Sequence, residues 1–507
     1  MKLGRTVLSL MLSVSLVACG GGGGSSTPPA TGGGGGGTPT PTPPTSACSL
    51  RAQQDFADGV LNEWYLFPDL LATANPANFN SVQSFLDARV APARALKRDE
   101  GFTFATSIAE ENAQIASGAT AGFGIRLFYD TPARRVFVQE AFESGNGFAA
   151  GLDRGTEITA IGTSAANLQT VSSLFTSGGA QAVANALGPS TAGTTRVLRF
   201  TQPGGAVVER SITKTDFSLN PISDRYGALI LNDGARRVGY LNFRTFIVAT
   251  SDRQLASVFQ NFANQGISEY IIDLRYNGGG LVRIGELMGD LLRGNRTGQV
   301  FSRTVLRASK ADLNETDLFD DTTRFFRQAT NDFGPEEALP RASVSKIAFI
   351  TTGASASASE LVANSMIPYL GTNMALVGSN TSGKPVGQFA FDLAACDLRI
   401  RSVTFQTVNA NNQGDYFEGL ASLAPNTCRA GDDITRPFGD PREASIAAAL
   451  DFLAGRACTP ITAGSAGGIA GGLSEGQRAR QGLDLPERIP LQPERPSYVQ
   501  REMPGLF

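Results

Sequence analysis

Histidine is missing altogether from the 507 residues. That absence excludes every nucleophilic site in which an imidazole takes the proton, and every zinc site built on imidazole ligands. Charge of one sign is also scarce in excess: the formal net charge is -3 and no long basic stretch occurs, which argues against a general nucleic-acid binder. No internal repeat is evident. What is present is ordinary globular usage, 41% apolar and 18% charged, in a chain long enough for two or three domains with cores of their own.

The beginning of the chain carries an address. Lys2 and Arg5 precede VLSLMLSVSLV, an apolar run too short to span a bilayer, and LVAC ends in Cys19 after small residues. This resembles a bacterial lipoprotein signal over residues 1–18. The resemblance implies export, lipid attached to Cys19, and a place in the cell envelope, expected at the outer membrane facing the periplasm. Residues 19–47, rich in Gly and Pro, read as a flexible tether that cannot bury a core. Four cysteines remain, Cys48, Cys396, Cys428 and Cys458, an even number for an oxidising compartment. Three pairings are open. Cys396 with Cys428 and Cys48 with Cys458 is favoured, since one closes a local excursion and the other ties the ends of the folded region.

The fold class expected is α/β and multidomain. Residues 48–118 have helical spacing, with Val60, Leu61 and Trp64 on one face and Val82, Phe85 and Leu86 after an Asn80/Ser81 cap. Residues 119–220 change to short strands. There SGNGFAAGLDRGTEITAIGT resembles the helix, glycine turn and strand of a PDZ domain at Gly151, Leu152, Gly155, Glu157 and Ile158, with Thr156 where an Asp is usual. Such domains add a peptide strand to a sheet edge and hold its terminal carboxylate on loop amides. Gly122, Phe123, Gly124 and Ile125 are the expected peptide-binding loop. Over 221–458 strands and helices alternate, which predicts a mostly parallel sheet with sites at its carboxyl ends. Residues 459–507 read as disordered.

Two strand exits carry the chemistry, DLRYNGGG and TTGASASASE. Without an imidazole, a serine nucleophile can be activated by a neutral lysine, whose ordinary pKa of about 10.4 falls on burial. Lys384, in VGSNTSGKPVGQ just past the strand MALVGS, is the candidate base. GASASASELVANS, LVGSNTSGKPVGQ and IIDLRYNGGG, in their order along the chain, resemble the motifs of the C-terminal processing peptidases, or tail-specific proteases. That resemblance covers roughly residues 50–458. It implies a helical N-terminal part, a PDZ domain, and a βα core of the ClpP/crotonase kind bearing a Ser/Lys dyad, with no cofactor and no metal. Matched by motif, Ser357 is the nucleophile, Lys384 the base, and Thr381 a hydroxyl that positions the amine. The amides of Ala358 and Gly279 are the expected oxyanion donors, with Gly280 as neighbour. Asp273 and Arg275 are expected to brace their loop by an ion pair, and Glu360 to support the helix start. Ser379 and Pro385 depart from the family pattern, at positions that should carry no chemistry.

The partners implied are flexible or unfolded proteins with apolar carboxyl ends, and a membrane through Cys19. A penicillin-type S-x-x-K occurs at Ser343–Lys346, but it runs straight into the strand IAFIT and no KTG follows. A binding scaffold of the same architecture, with an idle dyad, is the alternative from another class. Finally, EMPGLF ends in two apolar residues and has the form of a PDZ ligand, so the tail is a candidate for self-inhibition or trimming.

Overall fold

The computed structural model describes residues 48–130, 133–461, 489–494 and 496–507. The expected signal, Cys19 and the tether lie outside these residues. The described residues form two compact units, those within 48–108 and 388–403, and those within 109–387 and 404–507.

In the first unit, helices Leu50–Trp64 and Val82–Arg89 are capped by Ser49 and Ser81, each accepting a backbone N–H of its first turn. Their apolar faces bury Ala57, Leu61, Phe85 and Leu86. Strand Phe104–Ser107 pairs antiparallel with Leu398–Arg401, and Trp64 packs on Phe391. The helical module therefore includes a hairpin segment from far along the chain. Cys48 bonds to Cys396 within it.

The second unit is built on a six-stranded sheet. Its order is Ala228–Asp233, Arg236–Asn242, Glu269–Asp273, Lys346–Thr351, Met374–Gly378 and Thr427–Arg429, the first pair antiparallel and the rest parallel. Successive side chains of a strand face opposite ways. Tyr270, Ile272, Ile347 and Phe349 accordingly pack against helices Ser251–Asn264, Val282–Leu291 and Ala358–Leu370. Ile271, Ala348 and Ile350 point the other way, onto helix Ala444–Leu453. Burial on both faces explains why these strands read as unbroken apolar runs. The second disulfide joins Cys428 to Cys458, where the chain leaving that last helix returns beside the edge strand and Arg429 N–H donates to Thr459 O. The favoured pairing is thus corrected: Cys396 and Cys428 belong to different units, and each cysteine finds its partner inside its own.

The β-rich domain of this unit is a seven-stranded antiparallel sheet. Along it lie Ile489–Pro490, Ile125–Asp130, Arg135–Ala141, Glu157–Gly162, Thr195–Thr201 and Val207–Thr213. Helix Val171–Leu187 covers its core. Disorder through residue 507 is the sequence expectation, and residues 489–507 differ. They form a short strand and the helix Tyr498–Glu502, and Leu491, Val499, Met503, Leu506 and Phe507 are all buried. Their apolar residues are too widely spaced to register as a periodic element. Among the described residues no helix is long and apolar enough to cross a membrane.

Candidate active site

Three serines stand close together before helix Ala358–Leu370, and the structure separates them. Ser355 Oγ donates to Leu274 O and Ser359 Oγ to Asn277 O, each at 2.8 Å, so both are buried ties between loops. Ser357 instead holds φ 55° and ψ -116° at the sharp strand-to-helix turn. A non-glycine residue there costs about 1–3 kcal/mol, a strain that a functional site can justify. Ser357 and Lys384 line one small cleft, with Val282, Leu361, Val386 and Phe405 as apolar walls.

Glu360 ties the two segments together. Its carboxylate is fully buried and accepts from Ser357 N at 3.0 Å, Lys384 N at 2.8 Å and Gly383 N at 2.8 Å. Burial pushes this carboxyl up from the usual range, while the Thr381 hydroxyl and the three amides pull it back. Thr381 Oγ1 also accepts from Leu420 N at 2.7 Å. The Thr381 hydroxyl therefore bonds the carboxylate and a loop amide.

The loop after strand Glu269–Asp273 closes over the serine turn. Asn277 O accepts from Ala356 N at 3.1 Å, and its side-chain amide donates to Phe243 O. Gly279 has φ +108°, and a Cβ there would lie 2.8 Å from Ser357 Cβ and 2.9 Å from Ala358 N. Glycine is required by that approach. The Gly279 amide itself donates to Asn277 Oδ1 at 3.0 Å. Arg275 lies 2.9 Å from Asp273 and also reaches Glu443 and Asp432. Burial pushes Asp273 up, against the pull of Arg275 and Tyr240.

The predicted peptide-binding loop is occupied. Phe123 N and Ile125 N both donate to Phe507 O, at 3.0 and 3.2 Å, and Phe507 N donates to Ile125 O at 2.9 Å. A Cβ on Gly122 would come within 2.7 Å of the Phe507 carbonyl carbon. Three contributors went unnoticed in the sequence. Gly278 N donates to Glu502 O at 3.0 Å, the Glu502 carboxylate lies 3.8 Å from Lys384 Nζ, and buried Arg126 donates to Tyr276 O at 3.0 Å. No motif marks Glu502 or Arg126; Gly278 stood inside the glycine run already singled out.

A Ser/Lys cleft at the carboxyl ends of a parallel sheet defines a hydrolase of the acyl-transfer class. Residues 237–422 match the family model of peptidase family S41, a span that contains both Ser357 and Lys384. Over that span the chain is similar to the S41 serine peptidases. No curated protein matches it. Among solved structures, an S41 protease from Bacteroides fragilis is similar over 78% of this chain and 96% of that one, with 22% identity and a TM-score of 0.59, which shows a shared fold. The photosystem II D1 C-terminal processing protease is similar over 73% and 91%, with 16% identity and a TM-score of 0.40. Mature CPAF complexed with lactacystin is similar over 72% and 92%, with 11% identity and a TM-score of 0.39.

Proposed function

We propose that the protein is a lipid-anchored C-terminal processing endopeptidase that cleaves flexible or unfolded proteins with apolar carboxyl ends. The observation that carries this reading is the shared cleft of Ser357 and Lys384, with one buried carboxylate, Glu360, holding the backbone of both. In the reaction, Lys384 Nζ takes the Ser357 Oγ proton as the oxygen attacks a peptide carbonyl. The Ala358 amide receives the oxyanion, joined by the Gly279 amide once that group turns from Asn277 Oδ1. The C–N bond breaks, the amine leaves with the lysine-borne proton, and the acyl group stays on Ser357. Water, deprotonated by Lys384, then releases it.

The β-rich domain acts as a PDZ module that reads the substrate's end at Gly122–Ile125, a role supported by the backbone pairing of that loop with a chain end. Lipid at Cys19 holds the enzyme in the envelope, in keeping with two disulfides. The test is digestion of an unfolded model protein by the wild type, Ser357→Ala and Lys384→Ala, with mass spectrometry of the products. Cleavage by either variant at the wild-type rate refutes the dyad.

A further inference from the structure

We propose that residues 489–507 are a resident inhibitory ligand of both substrate sites, and that a protein with an apolar carboxyl end activates the enzyme by displacing them. This inference rests on the peptidase reading above.

The segment first uses the edge of the β-rich sheet. Leu491 N donates to Leu127 O at 3.0 Å, Leu127 N to Gly505 O at 2.7 Å, and residue 507 completes the ladder at Ile125 and Phe123. Those are the groups an incoming peptide strand would pair with. Leu491 and Phe507 enter the apolar core of the same domain. A bound substrate end and this segment therefore exclude each other.

Between its two edge contacts the segment reaches the catalytic loop. Helix Tyr498–Glu502 is capped by Ser497, and Gln500 Nε2 donates to Leu506 O at 2.8 Å, which braces the return. Glu502 O takes the Gly278 amide, and the Glu502 carboxylate faces Lys384, the two side chains being 8% and 6% exposed. The carboxylate thus stands against the amine of the dyad while the backbone of the same residue ties the glycine loop. The cleft beside Ser357 measures about 10 Å³, room for roughly one water.

Because the ligand is tethered, its effective concentration is on the order of millimolar. Only ends that bind well, or arrive on a substrate held by further contacts, compete with it.

Gly505 offers a clean lesion. It has φ +85°, and a Cβ would lie 2.4 Å from Leu127 O, so Gly505→Val cannot dock as the native segment does. Wild type, Gly505→Val and a chain ending at Arg488 are compared by labelling of Ser357 with a fluorophosphonate probe. In parallel, a fluorescein-labelled peptide of residues 489–507 is titrated onto the shortened chain. We expect both variants to label about tenfold faster or more, the change for a segment that occupies its sites at least nine-tenths of the time. We also expect the peptide to bind and slow the shortened chain again. Equal labelling of all three, with Ser357→Ala unlabelled, overturns the inference and leaves the peptidase reading intact. Absence of labelling in every form sinks the peptidase reading instead, and failure of the peptide to bind overturns the docking whatever the activity.

Discussion

Glu360→Gln is the substitution that tests the site most sharply. The carboxylate's hydrogen-bond partners are donors: the amides of Ser357, Gly383 and Lys384, and the Thr381 hydroxyl. Glutamine keeps the shape but offers one acceptor oxygen. If that oxygen stays on Ser357 N and Lys384 N, the new NH₂ faces the Gly383 amide. One bond to a charged acceptor is then lost, about 1.5–3 kcal/mol, and a buried donor is left unsatisfied, about 1–3 kcal/mol. The sum, about 2.5–6 kcal/mol, appears as a lowered Tm. Relief of the donor clash moves the Lys384 segment relative to Ser357, and a misplacement of about 1 Å costs on the order of a hundredfold in rate. Initial rates on a fluorescent unfolded protein, with thermal melts alongside, read both quantities. Wild-type kcat/KM in a variant with an unchanged Tm would refute the clamp. A lowered Tm with wild-type rates would reduce Glu360 to a purely structural tie.

Gly279→Ala places a methyl against Ser357 Cβ and Ala358 N, so fluorophosphonate labelling should fall more than tenfold while the far-ultraviolet circular dichroism stays native. Burial raises the Glu143 carboxyl, but Arg244 and Ser223 outweigh it and hold the group down to about 2. Its folded value lies below the unfolded one, so its contribution is present above pH 4.5 and lost as pH falls toward 2. Melts across that window should show a shallower acid loss in Glu143→Gln than in the wild type. Replacing Cys428 and Cys458 with serine opens a 30-residue span, for which loop-closure entropy gives about 3.6 kcal/mol. Denaturant midpoints of the double variant and the wild type measure it, and equal midpoints would refute that account.

The mostly parallel sheet was legible, though not its strand order, because parallel strands buried on both faces are continuous apolar runs, as in YIID and KIAFIT, separated by helical spacing. The cleft was legible through its chemistry: once imidazole is excluded, few side chains can serve a serine, and Lys384 follows a strand exit. Glu360 was visible only as a first-turn acid, since its tie to Gly383 and Lys384 spans more than twenty residues and depends on the sheet bringing the segments together. The disulfide partners depend on which unit each cysteine joins, and a hairpin returning to the helical module at Cys396 leaves no periodic mark. EMPGLF was legible as a ligand-like end, but the strand and helix before it were hidden, because glycine-rich residues after Cys458 lower the local apolar content although Leu491, Leu506 and Phe507 are buried.

Two arginines of the β-rich domain reach into the hydrolytic loop. Arg126 holds Tyr276 O, and Arg154 bonds the Tyr276 hydroxyl and the Asp432 carboxylate that Arg275 shares. The β-rich domain and the loop after strand Glu269–Asp273 are therefore joined at the level of single side chains. A chimera that grafts a foreign domain onto this core would arrive without Arg126 and Arg154, removing one partner of the Tyr276 carbonyl and one of Asp432, and point changes within the domain should be tolerated better than its exchange.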